Sequence, residues 1–204
     1  MSIYPDGFKV SNFLSSLSAD GVAHANRYSI SFSGTKEGGL GFSRENQERM
    51  NSRLESVSLP SQTIGSNPVK LQGIDREIPY GRIYEGDVKL IFLDDKRLGI
   101  RGMFETWHNY IVDKTTFQLS YYDSYVVDMF VFVNAMTNGQ DPNAGYAVKL
   151  VDVFPKTINS IELTASSEEL VKTDIDMSFR KWVQVDPVTL EEATGFRAAG
   201  DRGR

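Results

Sequence analysis

No cysteine occurs anywhere in the 204 residues, which removes disulfides, thiolate nucleophiles and cysteine-ligated zinc together. Histidine is nearly as scarce, with only His24 and His108, so histidine metal sites and proton relays are poorly supplied. Positive charge is not in excess either: 22 Lys+Arg stand against 27 Asp+Glu, a formal net charge of −5. A surface built to grip phosphates needs the opposite balance. The start of the chain, Met1 to Asp6, has no basic stretch followed by an apolar one, so no signal peptide is expected. The longest uncharged apolar run, near Met129–Met136, falls far below the ~18 residues of a membrane helix. No membrane is therefore expected among the partners. What remains is an ordinary globular composition, 40% hydrophobic and 24% charged, in a chain long enough to bury a core.

The dominant period is two. Tyr28, Ile30 and Phe32 alternate with Ser29, Ser31 and Ser33, the mark of a strand with one buried and one wet face. Val88, Leu90 and Phe92 are interleaved with Ile91 and Leu93, so that strand is expected to be covered on both sides. Phe117, Leu119 and Tyr121 read as a further short strand. Tyr125–Val133 is apolar almost throughout and reads as a central strand. Tyr146–Phe154 and Thr157–Thr164 follow, with Pro155 between them as a ladder-breaking corner. Val171, Thr173, Ile175, Met177 and Phe179 share one face of a strand running from Leu170 to Val183. That length exceeds the usual globular range, so it either bends or projects from the domain.

One stretch has the helical period instead. Behind Asp94 and Asp95, both suited to capping, Ile100, Met103, Phe104, Trp107, Tyr110 and Ile111 form the stripe of an amphipathic helix. Met103, Phe104, Trp107 and Ile111 are its expected packing residues, sealing one open face of a sheet. The fold class is thus mainly β: an antiparallel β-sandwich or barrel with one flanking α-helix. It occupies residues 27–183, with an N-terminal extension at 1–26, a long insertion at 34–53 and a C-terminal tail at 184–204. Within the insertion, Ser43 to Leu54 reads as a short helix with Ser43 as its cap.

Searches for chemistry return little. Gly38-Gly39-Leu40-Gly41 lacks the Lys-Ser/Thr that completes a phosphate cradle, and reads as loop. His108 lies at a helix edge with nothing to tie it to His24. Asp94-Asp95 and Glu168-Glu169 are adjacent pairs, whereas glycosidase carboxylates face one another across a cleft. No catalytic residue, metal site or cofactor is expected. A different class of function, a stand-alone sandwich that binds carbohydrate, would use Tyr121, Tyr122 and Tyr125 as stacking surfaces.

Taken in order, the core segments form a recognisable series: Arg27-Tyr28-Ser29-Ile30-Ser31-Phe32, then Val57-Ser58-Leu59-Pro60-Ser61-Gln62-Thr63-Ile64, then Tyr84–Asp95 leading into the helix Arg101–Trp107. Val148–Ile158 with its Phe154-Pro155, Ile161-Glu162-Leu163 and the closing Phe179-Arg180-Lys181-Trp182 complete it. This series resembles the tail tube protein family of contractile-tailed bacteriophages. The resemblance implies hexameric rings that stack into a hollow tube inside a sheath. Its implied partners are further copies of itself, the tail sheath protein, a baseplate tube initiator, and viral DNA passing through the lumen without specific binding. A terminal ring or initiator of the same fold is the alternative it leaves open. Under this reading the polar face of the last strand, Asp174 and Asp176, is expected to line the lumen. The insertion, through Lys36, Glu37, Arg44, Glu45 and Arg49, is expected to reach the next ring. Absence of cysteine suits assembly in a reducing cytoplasm.

Overall fold

The longest strand organises the rest. In the computed structural model, which describes residues 10, 14–15, 18, 25–35, 42–70, 73, 75–84, 86–134, 144–164, 170–187 and 190, β7 runs unbroken over Ala144–Ile158. The first half of β7 pairs with β6 (Val127–Asn134) on one side and β9 (Lys181–Val185) on the other. Its second half pairs with β8 (Lys172–Ser178). Between the halves sits Asp152, in a left-handed conformation at φ 55°, which Asp tolerates better than most residues. Its carboxylate is buried and held by the Arg180 Nε at 2.8 Å. One bulged residue thereby turns β7 from one layer of the fold into the other.

Around this ribbon the strand order is β1-β6-β7-β8-β5-β2, where β1 is Tyr28–Phe32, β2 is Leu54–Val57 and β5 is Val88–Leu93. Every pairing is antiparallel. The sheet curls until its two ends approach, and the Tyr28 hydroxyl of β1 donates to the Glu55 carbonyl of β2. Inside lie Ile30 and Phe32 of β1, Met129 and Val131 of β6, Leu150 and Val153 of β7, Ile175 and Met177 of β8, and Leu90 and Phe92 of β5. In β1, β5, β6 and β8 alternation puts these residues on one face of the strand, whereas in β7 Leu150 and Val153 are three apart and are both buried on either side of the bulge at Asp152.

Helix α1 (Arg44–Arg53) starts where Ser43 Oγ accepts from the Asn46 amide at 3.2 Å. Helix α2 (Gly99–Ile111) buries Ile100, Phe104 and Trp107 in the core, with Met103 and Ile111 packed at its margin. The Trp107 indole N–H donates to the Tyr125 carbonyl at 2.9 Å. The helix begins as the sequence predicts, but from a distance. Asp94 accepts from the amides of Ile100 and Arg101 at 3.2 and 3.1 Å. Asp95 accepts from those of Arg97 and Gly99 at 3.0 and 2.9 Å. Asp94 also receives the Thr173 hydroxyl at 2.9 Å, which ties the start of α2 to β8.

Three expectations need correction. The segment Phe117, Leu119, Tyr121 is not a strand: a single bridge joins Val112 to Leu119, and Phe117 sits at φ 54°. Pro155 does not break the ladder. The strand runs through it to Ile158, with a register shift against β8 between Pro155 and Thr157, and its carbonyl meets the His108 ring at 2.9 Å. The outer face of β5 is only half covered, since Lys89 is exposed while Ile91 and Leu93 are partly buried. The over-long last strand takes the bent alternative, turning at Phe179–Arg180 from β8 into β9. The fold class itself stands, with α1 as a second helix beside α2, followed by the one-turn helix α3 (Tyr122–Tyr125). The expectations for 1–26 and for the tail beyond Pro187 fall almost wholly outside the described residues.

Asp94 is the junction that these contacts share, so Asp94→Ala is expected to cost about 2 kcal/mol of stability, the upper end for a lost helix cap. Trp107→Ala is expected to cost about 4 kcal/mol through the cavity it leaves. Both are read as shifts in the midpoint of chemical unfolding.

Candidate assembly surfaces

A β-domain presents two kinds of unfinished surface: strand edges and exposed apolar side chains. At the β1 edge, Asn51 of α1 accepts from the Ile30 amide at 2.8 Å and donates to the Ile30 carbonyl at 2.7 Å. One turn earlier, Gln47 donates to the Phe32 carbonyl at 3.0 Å. At the edge of the second half of β7, His108 meets the Pro155 carbonyl and Arg101 donates to the Asn159 carbonyl at 3.0 Å. Each helix thus satisfies backbone groups at or just beyond a strand edge of the same chain. The β2 edge is short, with a bulge between Leu54 and Ser56.

Two exposed surfaces stand out. Strands β3 (Thr63–Val69) and β4 (Arg76–Ile83) pair only with each other, as a hairpin separate from the main sheet. Ile64 and Tyr80 on this hairpin are 62% and 64% exposed. Its base is fixed where the Trp182 indole donates to the Ser61 carbonyl at 3.1 Å. The other surface is the turn after α2. Asp113 Oδ1 accepts from the amides of Thr115 and Thr116 at 2.8 and 2.7 Å. The Ser120 amide returns to the Ile111 carbonyl at 3.0 Å. This ordered turn holds Phe117, Leu119 and Tyr121 in solvent at 79%, 69% and 86% exposure.

Asp174 and Asp176 lie on the outer face of β8, as the alternation predicts, but not as an isolated acidic pair. Lys89 of β5 reaches Asp174 at 2.9 Å, and this hydrogen bond raises the lysine above its ordinary value. Asp176 accepts from the Asn159 side chain at 3.2 Å. Farther along, Lys156 meets Asp87 at 2.7 Å and is raised in the same way, while Lys172 meets Glu55. On the other layer, Lys149 pairs with Asp128 at 2.9 Å beside the stacked rings of Phe130 and Phe132.

The charged insertion residues are dispersed. Arg44 pairs with Glu48 on the exposed face of α1, whereas Arg49 is bound to Asp95 within the subunit. Glu45 lies in the first turn of α1; Lys36, Glu37 and the glycine cluster lie outside the described residues, as do His24 and Glu168-Glu169. The three tyrosines do not form one platform. Tyr121 is exposed, but Tyr125 is buried and meets Tyr122 and Phe154 edge-on. The hairpin escaped the sequence reading because Pro68 and Pro79 interrupt its strands. Proline within a strand is confined to edge positions, which a two-stranded hairpin provides.

The family model for phage tail tube protein matches residues 23–185. The chain belongs to the phage tail tube protein family. It is accordingly a structural protein and not an enzyme. A comparison with curated proteins finds no match. Among solved structures, this tail tube protein is similar to a chain of the sheath-tube complex of the PVC extracellular contractile injection system. That match has 13% identity, covers 84% of this chain and 97% of the other, and has a TM-score of 0.55. It is similar also to a chain of the anti-feeding prophage tube-terminating cap, at 11% identity, 81% and 91% coverage and a TM-score of 0.54. A chain of the anti-feeding prophage baseplate gives 10%, 81% and 97%, and 0.54. At these identities the likeness establishes a shared fold.

The capping carboxylates of this tail tube protein make stability depend on pH. Asp95 is held below the ordinary carboxylate range, first by the Gly99 amide, and Asp113 first by the Thr116 amide. A lowered folded-state value gives stability that is complete above the unfolded-state value and lost as pH falls through the folded one. Stability is therefore expected to fall below about pH 4, and the fall to be shallower in Asp95→Asn. Chemical unfolding between neutral and strongly acid pH measures both.

Proposed function

We propose that this chain is the repeating subunit of the hollow tube inside a contractile sheath. Six copies form a ring, rings stack, and viral DNA leaves through the lumen. The observation that carries the reading is the family match over the whole β-domain, on a fold whose hairpin presents unburied apolar side chains. Several strand-edge groups are already satisfied within the subunit. Assembly then rests on side-chain surfaces: the β3–β4 hairpin and the turn bearing Phe117 and Leu119. The structural relatives come from a sheath-tube complex, a tube cap and a six-fold symmetrised baseplate, which favours sheath, baseplate initiator and further copies of this chain as partners.

The outer face of β5 and β8, with Asp174 and Asp176, is proposed to line the lumen. Its lysines are matched by Asp174, Asp87 and Glu55, so the face offers passing phosphates little counterion release. Residues Lys36 and Glu37, with Arg44 and Glu45 on the outer side of α1, are proposed to touch the next ring. The likeness to a cap and a baseplate chain is as close as that to the tube, which keeps an initiator ring as the second reading.

Replacing both Ile64 and Tyr80 with Asp tests the assembly role. The wild type is expected to form stacked rings or tubes by light scattering and electron microscopy. The double variant is expected to remain at lower mass with its melting temperature unchanged, because neither side chain supports the core. Single rings that never stack in the wild type would select the initiator reading.

A further inference from the structure

The β3–β4 hairpin is braced at its base and along its outer part, and weak at one level between them. At the base Thr63 pairs with Ile83. There the Trp182 indole holds the Ser61 carbonyl, and Tyr84 meets the Trp182 ring edge-on. Farther out, Asn67, Pro68 and Val69 pair with Ile78, Glu77 and Arg76. Side chains tie that part together across the strands: the Ser66 hydroxyl donates to Glu77 at 2.7 Å, and Lys70 meets Asp75 at 3.4 Å.

At the level between, several weakening features coincide. Gly65 stands directly opposite Gly81, so neither strand has a side chain to pack across the ladder there. The next pair is Ser66 with Pro79, which leaves Tyr80 as an extra residue in β4. Such a bulge interrupts the ladder and bends the strand. Pro79 in turn has no N–H to donate. Proline, bulge and glycine thus fall on consecutive residues of β4.

The two glycines differ in their surroundings. A side chain at Gly65 would collide with the Tyr80 ring, whose Cζ lies 2.6 Å from where a Cβ would sit. At Gly81 a Cβ would meet nothing within 4 Å, and the backbone there is not left-handed. Neither space nor backbone conformation requires glycine at 81. What glycine supplies at that position is freedom to bend.

We propose that the level of Gly65 and Gly81 is a hinge. The outer part of the hairpin, residues 66–69 and 76–79, is an arm that bends there, and the Tyr80 ring laid over Gly65 is its latch. The arm carries Ile78, which is 43% exposed. Bending changes the angle at which that side chain is presented and leaves the core and the clasp at Trp182 in place. The hinge belongs to the single subunit, so it stands or falls independently of the tube reading.

Distances between spin labels in dilute, unassembled protein test it. The chain has no native cysteine, so Asn67→Cys on the arm with Gln184→Cys on β9 places the only two labels. A second pair, Thr63→Cys with Gln184→Cys, reports the hairpin base. The arm pair is expected to give a broad distribution of distances and the base pair a narrow one. Gly81→Val is expected to collapse the arm distribution to one narrow peak, because a β-branched side chain restricts the backbone and has room at that site. Its melting temperature is expected to be unchanged; Gly81→Ala serves in its place should valine lower it. Tyr80→Ala is expected to broaden the arm distribution further, and no change on that substitution overturns the latch. An arm distribution that is narrow from the start, or that stays broad with residue 81 substituted, overturns the hinge. So does a base pair as broad as the arm pair, which would place the motion elsewhere.

Discussion

The amide contacts of Asn51 and Gln47 with the outward backbone groups of Ile30 and Phe32 end a sheet that would otherwise stop in an open ladder. A buried or half-buried peptide group without a partner costs free energy comparable to a lost hydrogen bond. A curled sheet whose ends approach but do not pair must therefore find other partners. Here helices supply them: α1 along β1, and α2 along the second half of β7 through His108 and Arg101. The position of α2 is set in turn by Asp94, which caps the helix while accepting from Thr173 of β8. Sheet curvature, helix placement and core closure are thus one linked arrangement.

Strands β1, β5 and β8 were legible because each keeps its alternation. Ile30 and Phe32, Leu90 and Phe92, and Ile175 and Met177 all face inward as their spacing requires. The stripe from Ile100 to Ile111 was equally plain, and Ser43 marked α1. What the pattern hid has physical causes. Pro155 looks like a break, yet β7 runs through it and absorbs it in a register shift before Thr157. The turn of β7 depends on one left-handed Asp, which no periodicity reports. Phe117, Leu119 and Tyr121 alternate like a strand although they face solvent, because alternation records only the residue types and not what covers them.

The same limit applies to the candidate surfaces. Asp174 and Asp176 lie on the predicted face, but the opposing Lys89 comes from β5 and its approach is a product of register. Arg49, grouped by sequence with an outward-reaching insertion, is held by Asp95 of its own subunit. Sequence located the residues that carry charge; the fold decides which of them are already paired. Apolar side chains are left in solvent on the hairpin and on the ordered turn, in a chain that belongs to the phage tail tube protein family.

Electron microscopy of the purified protein across a rising concentration series is the most direct test. The account predicts hollow tubes of uniform diameter built from stacked rings. A protein that stays monomeric throughout, and remains so when assembled baseplates are added, would contradict it.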